Sequence, residues 1–104
     1  MSEIISTLVG AENKEFFEDY APVELWRHCQ EDGWFFYGAI VGDTACGVIV
    51  AELQGITMVI QSLYVASGYR NMGVATELLM TLQEEAKRYG CPAIRMRFME
   101  DLEQ

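Results

Sequence analysis

Between residues 57 and 99 the apolar residues change their period twice, and this constrains the fold more than any other feature. Residues 57–65, Thr-Met-Val-Ile-Gln-Ser-Leu-Tyr-Val, are rich in apolar and β-branched side chains and read as a strand. Over 73–89 the pattern becomes helical: Val74, Leu78, Leu82, Ala86 and Tyr89 recur at three- and four-residue steps. Glu77, Glu84, Glu85 and Lys87 lie mostly elsewhere. Gly90 is a natural helix stop. After Cys91 and Pro92, Ile94, Met96 and Phe98 alternate with Arg95 and Arg97, predicting a strand over 93–99 with two unlike faces. A strand–helix–strand succession is a crossover, almost always right-handed, so strands 57–65 and 93–99 should run parallel in one sheet.

The upstream residues extend this sheet. Residues 4–9 read as a short strand closed by Gly10, and residues 11–20 as a helix carrying Phe16, Phe17 and Tyr20 at helical spacing. Pro22 opens a second short helix over 23–30, since proline suits a first helical turn. Residues 34–41 are aromatic and β-branched, Gly42-Asp43 turns the chain, and 44–53 forms the next strand. Gln54-Gly55 then leads into strand 57–65. Three strands so close together favour an antiparallel meander. The predicted order is β-α-α-β-β-β-α-β, an α/β (α+β) sandwich with a mixed sheet. A chain of 104 residues supports one domain, residues 1–104.

Composition narrows the function classes. Apolar residues make up 51% of the chain, enough for a core, and no apolar run approaches the roughly 20 residues that span a bilayer. Met1-Ser2-Glu3 is acidic and precedes no basic-then-apolar stretch, which predicts no secretory leader. Cys29, Cys46 and Cys91 are an odd number without a C-x-x-C pair, the pattern of free thiols in a reducing cytoplasm. No metal site is expected, because His28 beside Cys29 lacks the close ligand pairs zinc needs. The net charge of −9 gives no basic footprint for nucleic acid. Its distribution is uneven: residues 1–69 carry −8, residues 70–99 carry +2. An anionic ligand meets its least repulsive ground after residue 69.

The stretch that carries chemistry joins strand 57–65 to the helix: Leu63-Tyr64-Val65-Ala66-Ser67-Gly68-Tyr69-Arg70-Asn71-Met72-Gly73-Val74-Ala75-Thr76. The first N–H groups of a helix lack internal partners and sit at the positive end of its dipole, so a loop presenting them can cradle phosphate. Gly73 and Ala75 leave room for close approach, and Arg70 adds fixed positive charge. An ordinary tight turn at Gly73 explains the same residues. The segment is neither a Walker loop nor a dinucleotide fingerprint.

Leu63-Tyr64-Val65 followed by Tyr69-Arg70-Asn71-Met72-Gly73-Val74-Ala75 resembles the acetyl-CoA motif of the GNAT superfamily of N-acetyltransferases. That motif is Arg/Gln-x-x-Gly-x-Gly/Ala after an apolar strand, with Arg70, Gly73 and Ala75 at its defining positions. The resemblance covers essentially the whole chain and implies a GNAT-like mixed sheet with helices on both faces. It implies acetyl-CoA or coenzyme A as co-substrate and an amine acceptor of unidentified kind. The main chain of Asn71, Met72, Gly73, Val74 and Ala75 would hold the pyrophosphate, with Arg70 in support and Thr76 adding a hydroxyl. The backbone of Leu63 and Val65 would pair with the pantetheine arm where two parallel strands part.

The chain departs from the family pattern on the acceptor side. Residues 58–62 contain no carboxylate, so Glu52 on the preceding strand is the acidic candidate for general base, with a water held by Gln61 or Ser62 as the alternative. Tyr64 and Tyr69 read as packing or rim residues, and nothing marks Cys91 as a nucleophile. The resemblance implies further elements after strand 93–99, whereas only residues 100–104 remain. The expectation is a fold truncated after its fifth strand, with self-association or further C-terminal sequence covering the open edge. A GNAT-like module that binds acyl-CoA or a partner protein without transfer is the competing reading. An unrelated α/β domain is the third.

Overall fold

The strand periods read from the sequence close into one sheet. A computed structural model describes residues 3–97 and contains β1 (Ile4–Leu8), β2 (Trp34–Val41), β3 (Thr44–Gln54), β4 (Thr57–Val65) and β5 (Ala93–Met96). They lie side by side in chain order; β1 to β4 are antiparallel and β4–β5 is parallel. The sheet is mixed because the helix between β4 and β5, α3 (Val74–Arg88), carries the chain back to the same end. Phe98 and Met99 of the expected last strand lie outside the described residues.

Each face of the sheet has its own core. On one side α3 buries Val74, Leu78, Leu82 and Ala86 against Tyr37, Ala39, Ile49, Ala51, Met58 and Ile60. Leu78 and Leu82 are fully buried, each worth about 1.5–3 kcal/mol of transfer free energy. Tyr89 departs from the expected stripe: it caps the helix and is about half exposed, touching Phe35 edge to face at 5.3 Å. The helix ends in a Schellman arrangement. The Gly90 N–H bonds Lys87 and the Cys91 N–H bonds Ala86, with Gly90 at φ 73°.

The other face is covered by α1 (Lys14–Phe17), a 3₁₀ turn over Glu18–Tyr20, and α2 (Val23–Trp26). Phe17 and Trp26 sit there against Phe36, Val48 and Val50. Both helices are shorter than the sequence predicts. The Asn13 side chain accepts from the Gly10 N–H at 2.8 Å and donates to the Leu8 carbonyl, fixing a turn that delays α1 until Lys14. Residues 27–30 continue α2 as turns, ending at Gln30 with φ 72°.

Two bulges break the sheet's register. On β4, Ile60 lies opposite Ala51 and Ser62 opposite Val50, leaving Gln61 as the extra residue. On β3, Cys46 is the extra residue between Ala39↔Gly47 and Ile40↔Ala45. The β4 bulge shifts the side-chain phase: Met58 and Ile60 face α3 before it, Leu63 and Val65 after it.

Candidate functional site

Among the described residues β5 pairs with the first half of β4. Register between β4 and β5 runs from Thr57↔Ala93 to Ile60↔Met96, followed by a bond from the Arg97 N–H to the Ile60 carbonyl at 3.1 Å. On the other side β4 stays paired with β3 to its end, where the Ala66 N–H bonds the Cys46 carbonyl. Hydrogen-bonding residues alternate along an antiparallel pair, so Ser62 and Tyr64 direct their main-chain groups to β3. Leu63 and Val65 direct theirs toward the β5 side. This is the strand end from which the loop to α3 departs.

That loop shapes a cleft of 410 Å³ lined by Leu63, Val65, Tyr69, Arg70, Asn71, Gly73, Val74, Ala75 and Thr76. Every residue the sequence singled out for the cofactor lines it except Met72, which points outward and is about half exposed. Tyr69, expected as a packing or rim residue, packs against the core and joins the lining. Tyr64 packs, stacked on Tyr20 at 5.3 Å with the Arg70 guanidinium 5.9 Å from its ring.

The α3 N-terminus supplies the cleft's donors. Its first internal bond runs from the Glu77 N–H to the Gly73 carbonyl at 2.9 Å, and no side chain caps the helix. The N–H groups of Val74, Ala75 and Thr76 therefore have no helical partner, and the dipole adds positive potential there. Asn71 and Gly73 adopt φ 66° and 90°, turning the backbone so these amides open on the cleft. A Cβ on Gly73 would meet nothing nearer than Ile4 Cδ1 at 3.9 Å. Its left-handed backbone, rather than crowding, is what requires glycine.

Arg70 does two things. Its Nε donates to the Val65 carbonyl at 2.9 Å, bracing the loop against the strand end. The Val65 carbonyl, part of the backbone that the resemblance assigns to the pantetheine arm, thus already accepts one bond, while the Val65 N–H stays turned toward the β5 side. The guanidinium charge remains within the cleft wall.

A second cavity, of 580 Å³, lies on the sheet face covered by α1 and α2. Its walls include Glu24, Arg27, His28, Trp34, Glu52, Val59, Gln61 and Arg97. Two of the expected base-side candidates meet here. Glu52 accepts from Gln54 Nε2 at 3.0 Å, and the Gln61 oxygen accepts from Arg97 Nη1 at 2.8 Å. Ser62 sits opposite Val50 and does not line this cavity. His28 stacks face to face on Trp34, 4.1 Å between centroids, and bonds Glu31 at 2.8 Å. The Cys29 thiol turns away to the Val9 carbonyl. Sequence reading missed Arg97 here, because its partner Gln61 stands 36 residues away in the chain, and Trp34, which it read only as a strand residue.

The cysteines are not arranged for chemistry. Burial pushes the Cys29 and Cys46 thiols up, away from the thiolate a nucleophile requires. No three His, Cys, Asp or Glu side chains converge as a metal site among the described residues. No helix among them is long and apolar enough to cross a membrane.

The arrangement is a mixed-sheet domain with a cleft lined by Arg70 and the uncapped start of α3 at a strand-to-helix junction, beside a parallel strand pair. The sequence matches the model of the acetyltransferase (GNAT) family over residues 3–103, and the chain belongs to that family. No curated protein sequence matches it. Among solved structures it is similar to the aminoglycoside acetyltransferase AAC(6')-Iy in complex with a bisubstrate analogue. The TM-score is 0.82 at 15% identity, over 93% of this chain and 80% of that one. A ribosomal-protein-alanine N-acetyltransferase from Brucella melitensis gives 0.76 at 14%, over 92% and 80%. A GNAT family acetyltransferase from Staphylococcus aureus gives 0.74 at 21%, over 94% and 87%. At these identities the likeness shows the fold.

Proposed function

We propose that this protein transfers an acetyl group from acetyl-CoA to an amine, binding the CoA pyrophosphate on the Asn71–Thr76 turn. The observation that carries this reading is the cleft itself. Uncapped helix amides and Arg70 form one end of it and the backbone of Leu63 and Val65 the other. The residues fit the cofactor: the free donors match phosphate oxygens, and Leu63 and Val65 suit an amide-bearing arm laid along a strand edge. When bound, acetyl-CoA supplies an activated thioester. The amine nitrogen forms the new C–N bond, the C–S bond breaks, and the amine proton ends on a protein group or water while the thiolate takes up another.

Glu52 is the group we assign to the proton. It lines the second cavity and sits opposite Val59 on β4, two residues before the bulge. Gln61 is a poorer choice, since its oxygen is already committed to Arg97 and only its N–H groups remain. The cleft and this cavity lie on opposite faces of the sheet, with β4 between them. In this reading the amine enters from the α1–α2 side and the thioester from the α3 side.

Calorimetry with CoA tests the cleft. Gly73→Val forces a β-branched residue into φ 90° and should turn the amides aside. The loss of one or two charge-assisted bonds, about 1.5–3 kcal/mol each, predicts at least tenfold weaker binding. Gly73→Asn, which tolerates that backbone, should retain most of the affinity. A folded Gly73→Val protein that binds CoA like the parent would refute the assignment. Thiol release tests the base: Glu52→Gln should lower turnover by roughly 10²–10⁴ while leaving CoA affinity alone. CoA binding without turnover on any amine would favour a non-catalytic acyl-CoA-binding module.

A further inference from the structure

We infer that this protein forms a symmetric dimer through β1, with a second copy's β1 added antiparallel to the free edge of the sheet and centred on Ser6.

β1 is a margin of the five-stranded sheet and pairs with β2 alone among the described strands. The Val9 N–H bonds the Phe36 carbonyl at 2.9 Å, and bonding residues alternate along an antiparallel pair. Ile5, Thr7 and Val9 therefore direct their main-chain groups to β2. Ile4, Ser6 and Leu8 direct theirs outward, where no strand among the described residues takes them. The Leu8 carbonyl accepts from Asn13 Nδ2 at 3.2 Å and keeps a second lone pair. The described chain ends after β5, at the opposite margin, four strand spacings or about 19 Å away.

Such edges are normally blunted by a charge, a proline, a bulge or a covering segment. β1 is Ile-Ile-Ser-Thr-Leu, without charge or proline, and its register with β2 is unbroken. Leu8 is 63% exposed on the α3 face, which it shares with Ile4 and Ser6; Ile5 is 52% exposed on the other.

Self-complementarity singles out a second copy over any other extended segment. A twofold axis at Ser6 sets Ile4 opposite the partner's Leu8, Ser6 opposite the partner's Ser6, and Ile5 opposite the partner's Thr7. Every outward-facing residue of β1 then stands at a bonding position, with two N–H···O bonds at each such pair. The exposed side chains gain cross-strand neighbours, Leu8 against Ile4 and Ile5 against the Thr7 methyl. Charge agrees with this register. Ser6 Oγ meets Thr81 Oγ1 at 2.6 Å, which places Thr81 of α3 beside the axis. Glu77 and Arg88 share that side of the helix, one on either side of Thr81 along the chain. The twofold reverses their order in the second copy and brings each Arg88 toward the partner's Glu77. An arbitrary peptide could satisfy the backbone but not this reciprocity. The contact also adjoins the cleft, since Ile4 Cδ1 lies 3.9 Å from where a Cβ on Gly73 would stand.

The test is sedimentation velocity on the whole 104-residue chain over a dilution series, with amide exchange followed by NMR. The parent should pass reversibly from dimer to monomer on dilution, as small interfaces do. Ser6→Ala, which keeps the backbone groups, should still dimerise. Ser6→Pro removes the outward N–H without touching a bond to β2, and should raise the dissociation constant by roughly tenfold or more. Ile5→Lys combined with Leu8→Lys alters only exposed side chains, so it decides the matter if the proline disturbs the strand, and it should also give monomers. The amides of Ser6 and Leu8 should exchange more slowly as concentration rises, whereas those of Ile5 and Thr7, already bonded to β2, should not change. A parent that stays monomeric at every concentration overturns the inference. So does a dimer that survives the paired lysines, or Ser6 exchange that ignores concentration. None of these measurements uses CoA, so the cleft assignment stands or falls separately.

Discussion

Tyr37 on β2 faces α3 with 9% of its surface exposed, and its phenol is pushed up to about 12. Burial is the main cause, and Glu85 adds to it through both its charge and a hydrogen bond from the phenol; Arg88 opposes them. The sign of the linkage follows from the unfolded value near 10. Because the folded protein holds its phenol proton more tightly, the stabilisation is complete below about pH 10. It is lost as pH rises from there through about 12. At about 1.36 kcal/mol per unit, the whole effect is on the order of 2–3 kcal/mol. Urea unfolding at pH 8 and pH 11 should show the parent losing stability between them by more than Tyr37→Phe does. At pH 8 the Phe variant should already be weaker by about 0.5–1.5 kcal/mol, from the lost bond to Glu85. Identical pH dependence in the two proteins would mean the Tyr37 phenol is not the group concerned.

Among the elements, α1 is too short to stand alone and exists because Phe17 anchors it to the sheet. Gly38 on β2 makes the seat: a Cβ there would fall 2.4–2.7 Å from the Phe17 ring. Gly38→Ala should therefore displace Phe17 and cost about 1–3 kcal/mol. Thermal unfolding checks this, and Phe17→Leu in the same protein should return part of the loss. A Gly38→Ala protein as stable as the parent would show that the helix shifts freely. The contrast with α3 explains what the sequence made legible. α3 announces itself by a local stripe, a left-handed Gly73 before it and a left-handed Gly90 after it, so its place and the cleft before it could be read from neighbours alone. The α1–α2 region could not, because the Asn13 side chain spends its bonds on a turn that helix periodicity does not register. The bulges at Cys46 and Gln61 were equally invisible, being decided by packing on both faces of the sheet at once. For the same reason Gln61 gave no hint of its bond to Arg97, 36 residues away.

On the scale of the whole molecule, the sheet separates the 410 Å³ cleft on the α3 side from the 580 Å³ cavity on the α1–α2 side. Val59 and Gln61 of β4 line the cavity, Leu63 and Val65 the cleft. A ligand occupying the cleft bridges α3 and β4, elements otherwise joined by the 66–73 loop and the core beneath, so it should stabilise the fold as a unit. For a ligand that binds only the folded state, saturation at 100 times Kd adds about 2.7 kcal/mol. In a domain of this size each kcal/mol moves the midpoint by about 4–8 °C, so CoA should raise the melting temperature by roughly 10–20 °C. The shift should shrink as NaCl is raised, because the phosphate contacts are partly exposed and screened. Arg70→Ala separates the residue's two tasks. Removing its exposed bond to the Val65 carbonyl should lower the unliganded midpoint only slightly, as a single net hydrogen bond is worth about 0.5–1.5 kcal/mol. Removing its charge from the cleft should cut the CoA-induced shift much more. If instead the unliganded protein melts far lower while the CoA shift is unchanged, Arg70 serves the strand end and not the ligand. The anion would then be held by the α3 amides alone.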